Sequence, residues 1–342
     1  MRVAMYYSNN DVRLEELPRP EIGAGEALVR VEASGICGSD VMEWYRRDKV
    51  PLVLGHEIAG EVVEVGEGVE SLEPGQRVSA SHHVPCGACR HCRRGNETMC
   101  ETLRKTNFDP GGFAEFVRLP SINVERGVYH LPDSMSCEEG SFIEPLACVL
   151  RGQRRAGVGE GDCVLVLGSG ISGALHVALA RALGAGVVIA TDVSDFRLKK
   201  AKKSGAHVAL KADEDIPARV REASGGHLAD RVIVCTGAPA AVGQALGSVE
   251  RGGSVLFFAP TDEGVPFPFS INDVFWKRDV MLTTSYAGSP ADHLEAMELI
   301  RGGRVSVGRM ITHRLGLADA GEGFRLVAGG GESLKVIVEP QR

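Results

Sequence analysis

The chain has 342 residues, enough for two domains, and 44% of them are apolar and 24% charged, as in globular proteins that fold in water. A formal net charge of −7 argues against a nucleic-acid partner, which needs a clustered basic surface. No apolar run approaches the roughly 20 residues of a membrane span, and the N-terminus lacks a signal-peptide core. We therefore expect a cytoplasmic protein with no membrane partner, whose nine cysteines bind metal or are buried thiols.

The first part of the chain has the pattern of a mainly β domain with much irregular loop. Apolar and polar residues alternate over 24–35 and 58–65, and further short strands are predicted at Arg77–Ser81 and Phe113–Leu119. We place this domain at residues 1–150.

The pattern changes near residue 157, where apolar strands begin to alternate with helical segments. The predicted strands are Cys163–Leu167, Val187–Thr191, Arg231–Cys235, Ser254–Ala259 and Val280–Ser285, and the predicted helices are Ile171–Leu183, Asp195–Ser204, Ala240–Ser248 and Pro290–Ile300. This order favours an α/β domain with a doubly wound parallel sheet over residues 151–288. We expect residues 289–342, with a strand at Ser333–Val338, to return to the first domain.

A glycine motif, Gly168-Ser169-Gly170-Ile171-Ser172-Gly173, lies between the first of these strands and its helix. In that context it predicts a Rossmann-type dinucleotide site. Gly168 permits the turn, Gly170 lets the backbone approach a pyrophosphate, and Gly173 lets helix and strand pack closely. Free N–H groups from Ile171 onward favour the phosphates. The alternative is an ordinary strand-to-helix turn.

Asp192 follows the second strand, where an acidic residue hydrogen-bonds the adenosine ribose and repels a 2′-phosphate. It therefore favours NAD over NADP, although Arg197 leaves room for some use of NADP. Alternatively, Asp192 only caps the helix that starts near Asp195.

Four cysteines lie close together within residues 82–105, at Cys86, Cys89, Cys92 and Cys100. Four thiolates on one short loop can close a tetrahedral shell around zinc, which predicts a structural zinc site. An iron–sulfur cluster is the competing interpretation, but the ferredoxin spacing and its proline are absent.

A second set of ligand-type residues is dispersed along the chain, at Cys37, His56, Glu57 and Glu144. A thiolate, an imidazole and a carboxylate would leave one position of a zinc ion open, as in catalytic sites. From the residues alone, His56 could equally be a structural histidine and Glu144 a residue that favours the start of a helix.

The order of these motifs resembles the zinc-containing medium-chain dehydrogenase/reductases, and within them the polyol (sorbitol-type) and threonine dehydrogenases. The likeness covers essentially the whole chain. It rests on GxCGSD around Cys37, GHE at 55–57, the four-cysteine lobe, GGFAEF at 111–116, EPL at 144–146, GSGISG at 168–173 and Asp192.

The resemblance implies a GroES-like catalytic domain, a Rossmann domain, two zinc ions per chain and NAD. By position, Cys37 and His56 would be catalytic zinc ligands, and Glu57 would be a third ligand or an immediate neighbour. Glu144 stands where polyol-type relatives have a glutamate that binds zinc directly or through water. The reaction implied is hydride transfer between a small-molecule alcohol or ketone and NAD, in a homodimer or homotetramer.

The resemblance also implies that Asp40 fixes the ring of His56 and that Ser39 contacts the substrate hydroxyl. Met42 stands where relatives often have a histidine that passes the proton to solvent, so no relay beyond Ser39 is assigned. We find no cationic residue for a substrate carboxylate, which argues against threonine. The alternatives are a zinc-free quinone or enone reductase of the same fold and a non-catalytic nucleotide-binding protein. Phe275 and Trp276 could line the substrate pocket or a subunit interface, but core packing is the role we expect.

Overall fold

The computed structural model describes residues 1–267 and 269–342, which form two compact units. The first unit contains Met1–Ala147, Ala287–Gly302 and Val307–Arg342. The second contains Cys148–Tyr286 and Gly303–Ser306. Each unit has its own buried apolar clusters.

The first unit begins with eight strands and several short helices. The strands are β1 (Arg2–Ser8), β2 (Asp11–Glu16), β3 (Ala27–Gly35), β4 (Leu52–Val53), β5 (Glu57–Val65), β6 (Arg77–Ser81), β7 (Phe116–Leu119) and β8 (Val128–His130). The helices are α1 (Glu43–Arg46), α2 (Glu101–Lys105), α3 (Ser121–Arg126), α4 (Cys137–Gly140) and α5 (Ile143–Ala156), the last of which continues into the second unit. The predicted mainly β domain is confirmed.

The second unit is a six-stranded parallel sheet with the order β11-β10-β9-β12-β13-β14. Its strands are β9 (Cys163–Leu167), β10 (Val187–Asp192), β11 (Val208–Lys211), β12 (Ala229–Val234), β13 (Val249–Phe257) and β14 (Met281–Thr284). Its helices are α6 (Ile171–Ala182), α7 (Asp195–Lys203), α8 (Ile216–Ala223), α9 (Pro239–Ser248) and α10 (Ile271–Val274). Alternate residues of β9 enter two different apolar clusters, because successive side chains point to opposite faces. Both faces are therefore covered, as predicted for a doubly wound sheet.

The last part of the chain completes the first unit. It forms α11 (Pro290–Arg301), β15 (Ile311–Leu315), α12 (Ala320–Ala328) and β16 (Lys335–Val338). The larger sheet has the order β15-β16-β3-β5-β6-β8, with β7 also paired to β3, and a smaller sheet has the order β2-β1-β4. The C-terminal strand β16 thus lies directly beside β3, antiparallel to it.

Some elements differ from the sequence-based expectations. The sequence analysis did not predict β1, β2, β11 and α8. Among these, β2 and α8 carry many charges and β11 has only four residues, so their apolar patterns are weak. Core packing for Phe275 and Trp276 was wrong, since each is 62% exposed. Within the described residues, no helix has the length and apolar character required to cross a bilayer.

Candidate metal and dinucleotide sites

The four cysteines of the 82–105 lobe lie together in the structure, with sulfur atoms all within 4.8 Å of one another. Cys86 Sγ is 3.6 Å from Cys100 Sγ, and Cys89 Sγ is 3.5 Å from Cys92 Sγ. These distances are far too long for disulfides at about 2.05 Å. When four sulfur atoms surround zinc at the corners of a tetrahedron, with Zn–S bonds of about 2.3 Å, neighbouring sulfur atoms are about 3.8 Å apart. The observed sulfur–sulfur distances match this separation. The lobe therefore fits a closed zinc shell.

Local backbone donors favour the thiolate form of two of these cysteines. The N–H groups of Ala88 and Cys89 lower the pKa of Cys86. Burial raises the pKa of Cys100, but hydrogen bonds from backbone N–H groups, first that of Cys86, outweigh burial and lower it to about 6. Since zinc binds thiolate rather than thiol, the backbone around Cys86 and Cys100 favours metal binding, whereas burial raises the pKa of Cys92 to about 12.

Cys37 and His56 are brought together by strand pairing. β3 ends at Gly35 and β5 begins at Glu57, and these two residues lie opposite each other in the antiparallel ladder. Cys37 follows β3 and His56 precedes β5, so the pairing places both at the same end of the two strands. Cys37, His56 and Glu57 offer ligand atoms within 4.8 Å of one another. A thiolate, an imidazole and a carboxylate at this spacing fit a zinc ion with an open position.

Asp40 is fully buried beside this group. Its Oδ1 lies 3.4 Å from His56 Nδ1, and its Oδ2 accepts a hydrogen bond from the Cys37 backbone N–H at 3.0 Å. Burial raises the pKa of Asp40, but the charge and hydrogen bond of His56 and the Cys37 N–H outweigh it, and the pKa is lowered. Because Asp40 contacts Nδ1, Nε2 of His56 is left to bind a metal.

The two remaining residues of this loop that the sequence singled out are Ser39 and Met42. The backbone N–H of Ser39 lies 3.5 Å from Cys37 Sγ. The carbonyl of Ser39 accepts hydrogen bonds from the Arg46 side chain at 3.1 and 3.3 Å. Both side chains are half-buried, and Met42 precedes α1 as its N-terminal cap residue.

Glu57 and Glu144 differ in their positions. Glu57 is buried and belongs to the three-residue ligand group. Glu144 is buried in the first turn of α5 and is not part of that group as the described residues place it. Glu57 also forms an ion pair with the fully buried Lys335 of β16. Sequence reasoning missed Lys335, although a single charge in the apolar run Leu334–Val338 was a usable signal.

Three further histidines surround the group and were not assigned from the sequence. The His82 ring centroid is 4.8 Å from that of His56 and 3.7 Å from that of His83, and His293 stacks on Tyr129 at 5.2 Å. Burial lowers the pKa of His82 well below its ordinary value, that of His83 to about 4, and that of His293. These rings are therefore neutral at neutral pH and do not repel a cation.

The glycine motif in the second unit forms the turn between β9 and α6. Gly168 has a φ of 91°, which favours glycine. A Cβ on Gly173 would collide with the Gly168 carbonyl, so the helix can start this close to the strand only with glycine at that position. Gly170 caps the helix without a side-chain hydrogen bond, which leaves the first N–H groups, from Ile171 onward, for an anion.

Asp192, the last residue of β10, is tied to this turn. Its Oδ2 accepts the Ser169 N–H at 2.8 Å and its Oδ1 accepts the Ser194 N–H at 2.9 Å. The cap of α7 is Ser194, which accepts the Arg197 N–H at 3.4 Å, so the capping alternative for Asp192 does not hold. Each carboxylate oxygen keeps a second acceptor site, which can receive a ribose hydroxyl.

Two family models match the chain. One, described as an alcohol dehydrogenase GroES-like domain, matches residues 23–133, and the other, described as a zinc-binding dehydrogenase, matches residues 173–302. The first match contains both ligand groups, and the second contains Gly173, Asp192 and Arg197.

Known proteins resemble the chain along nearly its whole length. It is 30% identical to sorbitol dehydrogenase of Bacillus subtilis, covering 100% of this chain and 98% of that protein. It is 34% identical to L-threonine 3-dehydrogenase of Pyrococcus abyssi, covering 93% and 92%. A zinc-binding dehydrogenase of Sinorhizobium meliloti, solved with NADP, superposes with a TM-score of 0.88 at 29% identity, covering 99% of each chain.

Proposed function

Because the chain belongs to the zinc-containing medium-chain dehydrogenase/reductases, in the branch of the sorbitol and threonine dehydrogenases, we propose that it transfers hydride between a secondary alcohol or polyol and NAD. The family predicted from the motifs is confirmed. The observation that carries the proposal is the Cys37–His56–Glu57 group, whose three ligand atoms fit a metal site with room for a substrate oxygen.

The residues of the first unit have distinct roles in this proposal. A zinc ion held here would act as a Lewis acid and lower the pKa of the substrate hydroxyl. Cys37 and His56 would hold the ion, with Glu57 or Glu144 as the further ligand. Asp40 keeps the His56 ring oriented. Ser39, next to Cys37, would accept the hydroxyl proton. NAD would take the hydride.

The choice of NAD over NADP is supported by Asp192. Its carboxylate is fixed by two backbone N–H groups, so it cannot turn away from a 2′-phosphate without breaking both hydrogen bonds. A buried carboxylate held beside a phosphate costs several kcal/mol of repulsion. The Sinorhizobium protein was solved with NADP, so both cofactors belong in the test.

We also propose that the protein is a homo-oligomer, a dimer or tetramer, in the cytoplasm. Exposed apolar side chains, among them Phe275, Trp276 and Met281 of the edge strand β14, support the first proposal. The second is supported by the nine cysteines, none of which forms a disulfide in the described residues, as expected of a reducing compartment.

The test is reduction of NAD and of NADP by the purified enzyme with a panel of polyols, secondary alcohols and threonine. We expect NADH formation with a polyol or secondary alcohol, and loss of it in Cys37→Ser with binding of NAD retained. Cys137→Ser is the matched control, because this thiol lies outside both ligand groups.

Full activity of Cys37→Ser, or of an enzyme stripped of zinc, would overturn the proposal and favour a zinc-free quinone or enone reductase. NAD binding without turnover of any alcohol or ketone in either direction would instead favour a non-catalytic nucleotide-binding protein.

A further inference from the structure

Two buried polar atoms of the first unit have no hydrogen-bond partner among the residues that the structure describes. They are Oη of Tyr129, in β8, and Nε2 of His293, in α11. Tyr129 is 4% exposed and His293 is 2% exposed. Buried polar atoms without a partner are rare, because a hydrogen bond to water has been lost and not replaced. Two of them on neighbouring side chains point to a place where a ligand can bind.

The hydrogen positions of this pair follow from its surroundings. The two rings are parallel to within 4°, with their centres 5.2 Å apart. Nδ1 of His293 lies 2.8 Å from the Ser289 carbonyl, which can only accept, so Nδ1 carries the hydrogen. Burial lowers the pKa of His293, so the ring is neutral and Nε2 is an acceptor. Burial raises the pKa of Tyr129, so its phenol is protonated and Oη can donate.

A neutral donor next to a neutral acceptor is complementary to a hydroxyl group. Such a group accepts a hydrogen bond from Oη of Tyr129 and donates one to Nε2 of His293. A carboxylate has no hydrogen to donate to Nε2, and an ammonium group has no lone pair to accept from Oη. The pair therefore favours a neutral hydroxyl compound over an amino acid.

The pair lies close to the candidate metal group. His293 is near enough to His82 for its charge to lower the pKa of that ring, and the His82 ring centre is 4.8 Å from that of His56. A Cβ on Gly288 would lie 3.1 Å from Cε1 of His293 and 2.8 Å from Cβ of Ala147. The edge of the imidazole that carries Nε2 therefore lies beside α5, whose first turn contains a proposed metal ligand.

We propose that Tyr129 and His293 form a subsite for a second hydroxyl group of the substrate, and that this subsite selects diols and polyols over simple alcohols. The inference rests on the proposed function, in which the reacting oxygen is bound at the Cys37–His56–Glu57 group. A diol or polyol held at two oxygens is fixed in one orientation. A simple secondary alcohol offers nothing to the second subsite and leaves both buried atoms without a partner.

The test uses Tyr129→Phe, which removes one oxygen and keeps the stacked ring. Initial rates are compared for vicinal butanediol and sec-butanol, which differ by one hydroxyl group, and for sorbitol. The ratio of kcat/KM for the diol or polyol to that for sec-butanol should fall by about tenfold in the variant, since one hydrogen bond to the substrate is lost. Tyr7→Phe is the matched control and should leave the ratio unchanged, because the Tyr7 hydroxyl donates to Glu15 at 2.8 Å.

A binding measurement keeps this test separate from that of the reaction. With NADH bound, the zinc-loaded enzyme cannot oxidise an alcohol, so calorimetric titration with sorbitol measures binding alone. The Kd should rise by about tenfold in Tyr129→Phe and in His293→Phe. The two losses should not add in the double variant, because one hydroxyl group contacts both residues. If His293→Phe does not fold, Tyr129→Phe decides the matter. This titration requires no turnover, so it tests the subsite even if the proposed reaction fails.

Urea unfolding without alcohol separates a substrate subsite from a site for structural water. An unpartnered hydroxyl contributes no hydrogen bond to folding, so Tyr129→Phe should be at least as stable as wild type. Unaltered diol selectivity and sorbitol affinity in Tyr129→Phe would overturn the proposal, and a loss of stability alongside would assign the two atoms to a buried water molecule. A wild type that binds no polyol would also overturn it, whether or not the enzyme oxidises a simple alcohol.

Discussion

Two buried carboxylates, Asp40 and Asp192, each accept backbone N–H groups and each stand beside a proposed ligand site. Asp40 contacts the ring of His56, so its charge acts on a proposed metal ligand. Asp192 ties the glycine turn at Ser169 to the end of β10, so its charge acts on any ligand bound at that turn. We propose that the same type of side chain supports metal binding in one unit and cofactor choice in the other.

Asp192→Asn should shift the cofactor preference toward NADP. The amide keeps the size of the side chain but removes the charge that repels a 2′-phosphate, so kcat/KM for NAD relative to NADP should fall by about tenfold or more. The measurement is initial rates with both cofactors at one alcohol concentration. Asp195→Asn, at an exposed carboxylate nearby, is the control and should leave the ratio unchanged. An unaltered ratio in Asp192→Asn would show that this carboxylate does not select the cofactor.

The residues of the candidate site differ in how well the sequence could predict them. Cys37 and His56 stand in short motifs, and the pairing of β3 with β5 then brings them together. Lys335 could not be placed, because its meeting with Glu57 depends on β16 lying beside β3, and strand neighbours so far apart in sequence leave no local pattern.

At the scale of elements, α6 contains a polar side chain that the dinucleotide motif does not explain. His176 is completely buried, Gln153 Nε2 lies 3.2 Å from its Nδ1, and the Phe258 ring packs edge-on against it at 4.5 Å. Burial lowers the pKa of His176 from 6.5 to about 3. The folded protein therefore keeps this ring neutral at pH values where the unfolded chain protonates it.

The second unit should lose stability as the pH falls from about 6.5 toward 3, in part through His176. In this window the unfolded state binds a proton that the folded state does not, so acid favours unfolding by up to about 1.4 kcal/mol per pH unit for this one group. Urea unfolding of wild type and His176→Gln between pH 7 and pH 4 measures it. The variant should show the shallower pH dependence, and an identical slope in both would contradict this origin.

The cysteine lobe has few apolar residues to stabilise it, and we expect a metal to do so. Cys89→Ser removes one of the four sulfur atoms, and the variant should hold one zinc per chain where wild type holds two. Its thermal midpoint should fall, because metal binding free energy contributes to folding. Metal analysis and calorimetry provide the measurements, with Cys137→Ser as the control. Two tightly bound zinc ions in Cys89→Ser would contradict the assignment.

Elements with a clear pattern of apolar residues were predicted well, and those with a mixed pattern were not. The boundaries of β6 and β9 match the predictions, since β6 alternates polar and apolar residues and β9 is a short apolar run followed by the glycine turn. β13 begins at Val249, five residues before the predicted start at Ser254. The prediction missed these residues because they include Arg251 and two glycines, which carry no strand pattern. Tertiary pairing with β12 extends this strand where local propensity does not.

For the whole molecule, the main feature outside the two sites is an apolar surface on the second unit. Among the described residues between 265 and 286, seven large apolar side chains are exposed, namely Val265, Phe269, Ile271, Phe275, Trp276, Met281 and Tyr286. In the described part of the chain, β14 is the last strand of its sheet, with one edge not paired. Exposed apolar patches and unpaired edges usually mark an interface. We propose a second copy of the chain as the partner, because an edge strand can pair with itself across a two-fold axis.

The protein should therefore sediment as a multiple of its 36.4 kDa chain. Phe275→Glu/Trp276→Glu places two charges on this surface, and burial against a partner would leave them unpaired. The association constant of the variant should therefore be lower than that of wild type by at least about tenfold. Sedimentation equilibrium over a range of concentrations measures this. Leu14→Glu changes an exposed apolar residue of the first unit and should leave the assembly intact. A monomeric wild type would exclude the assembly, and a double variant that associates as wild type does would place the interface elsewhere. In either case the exposed aromatic residues would need another partner.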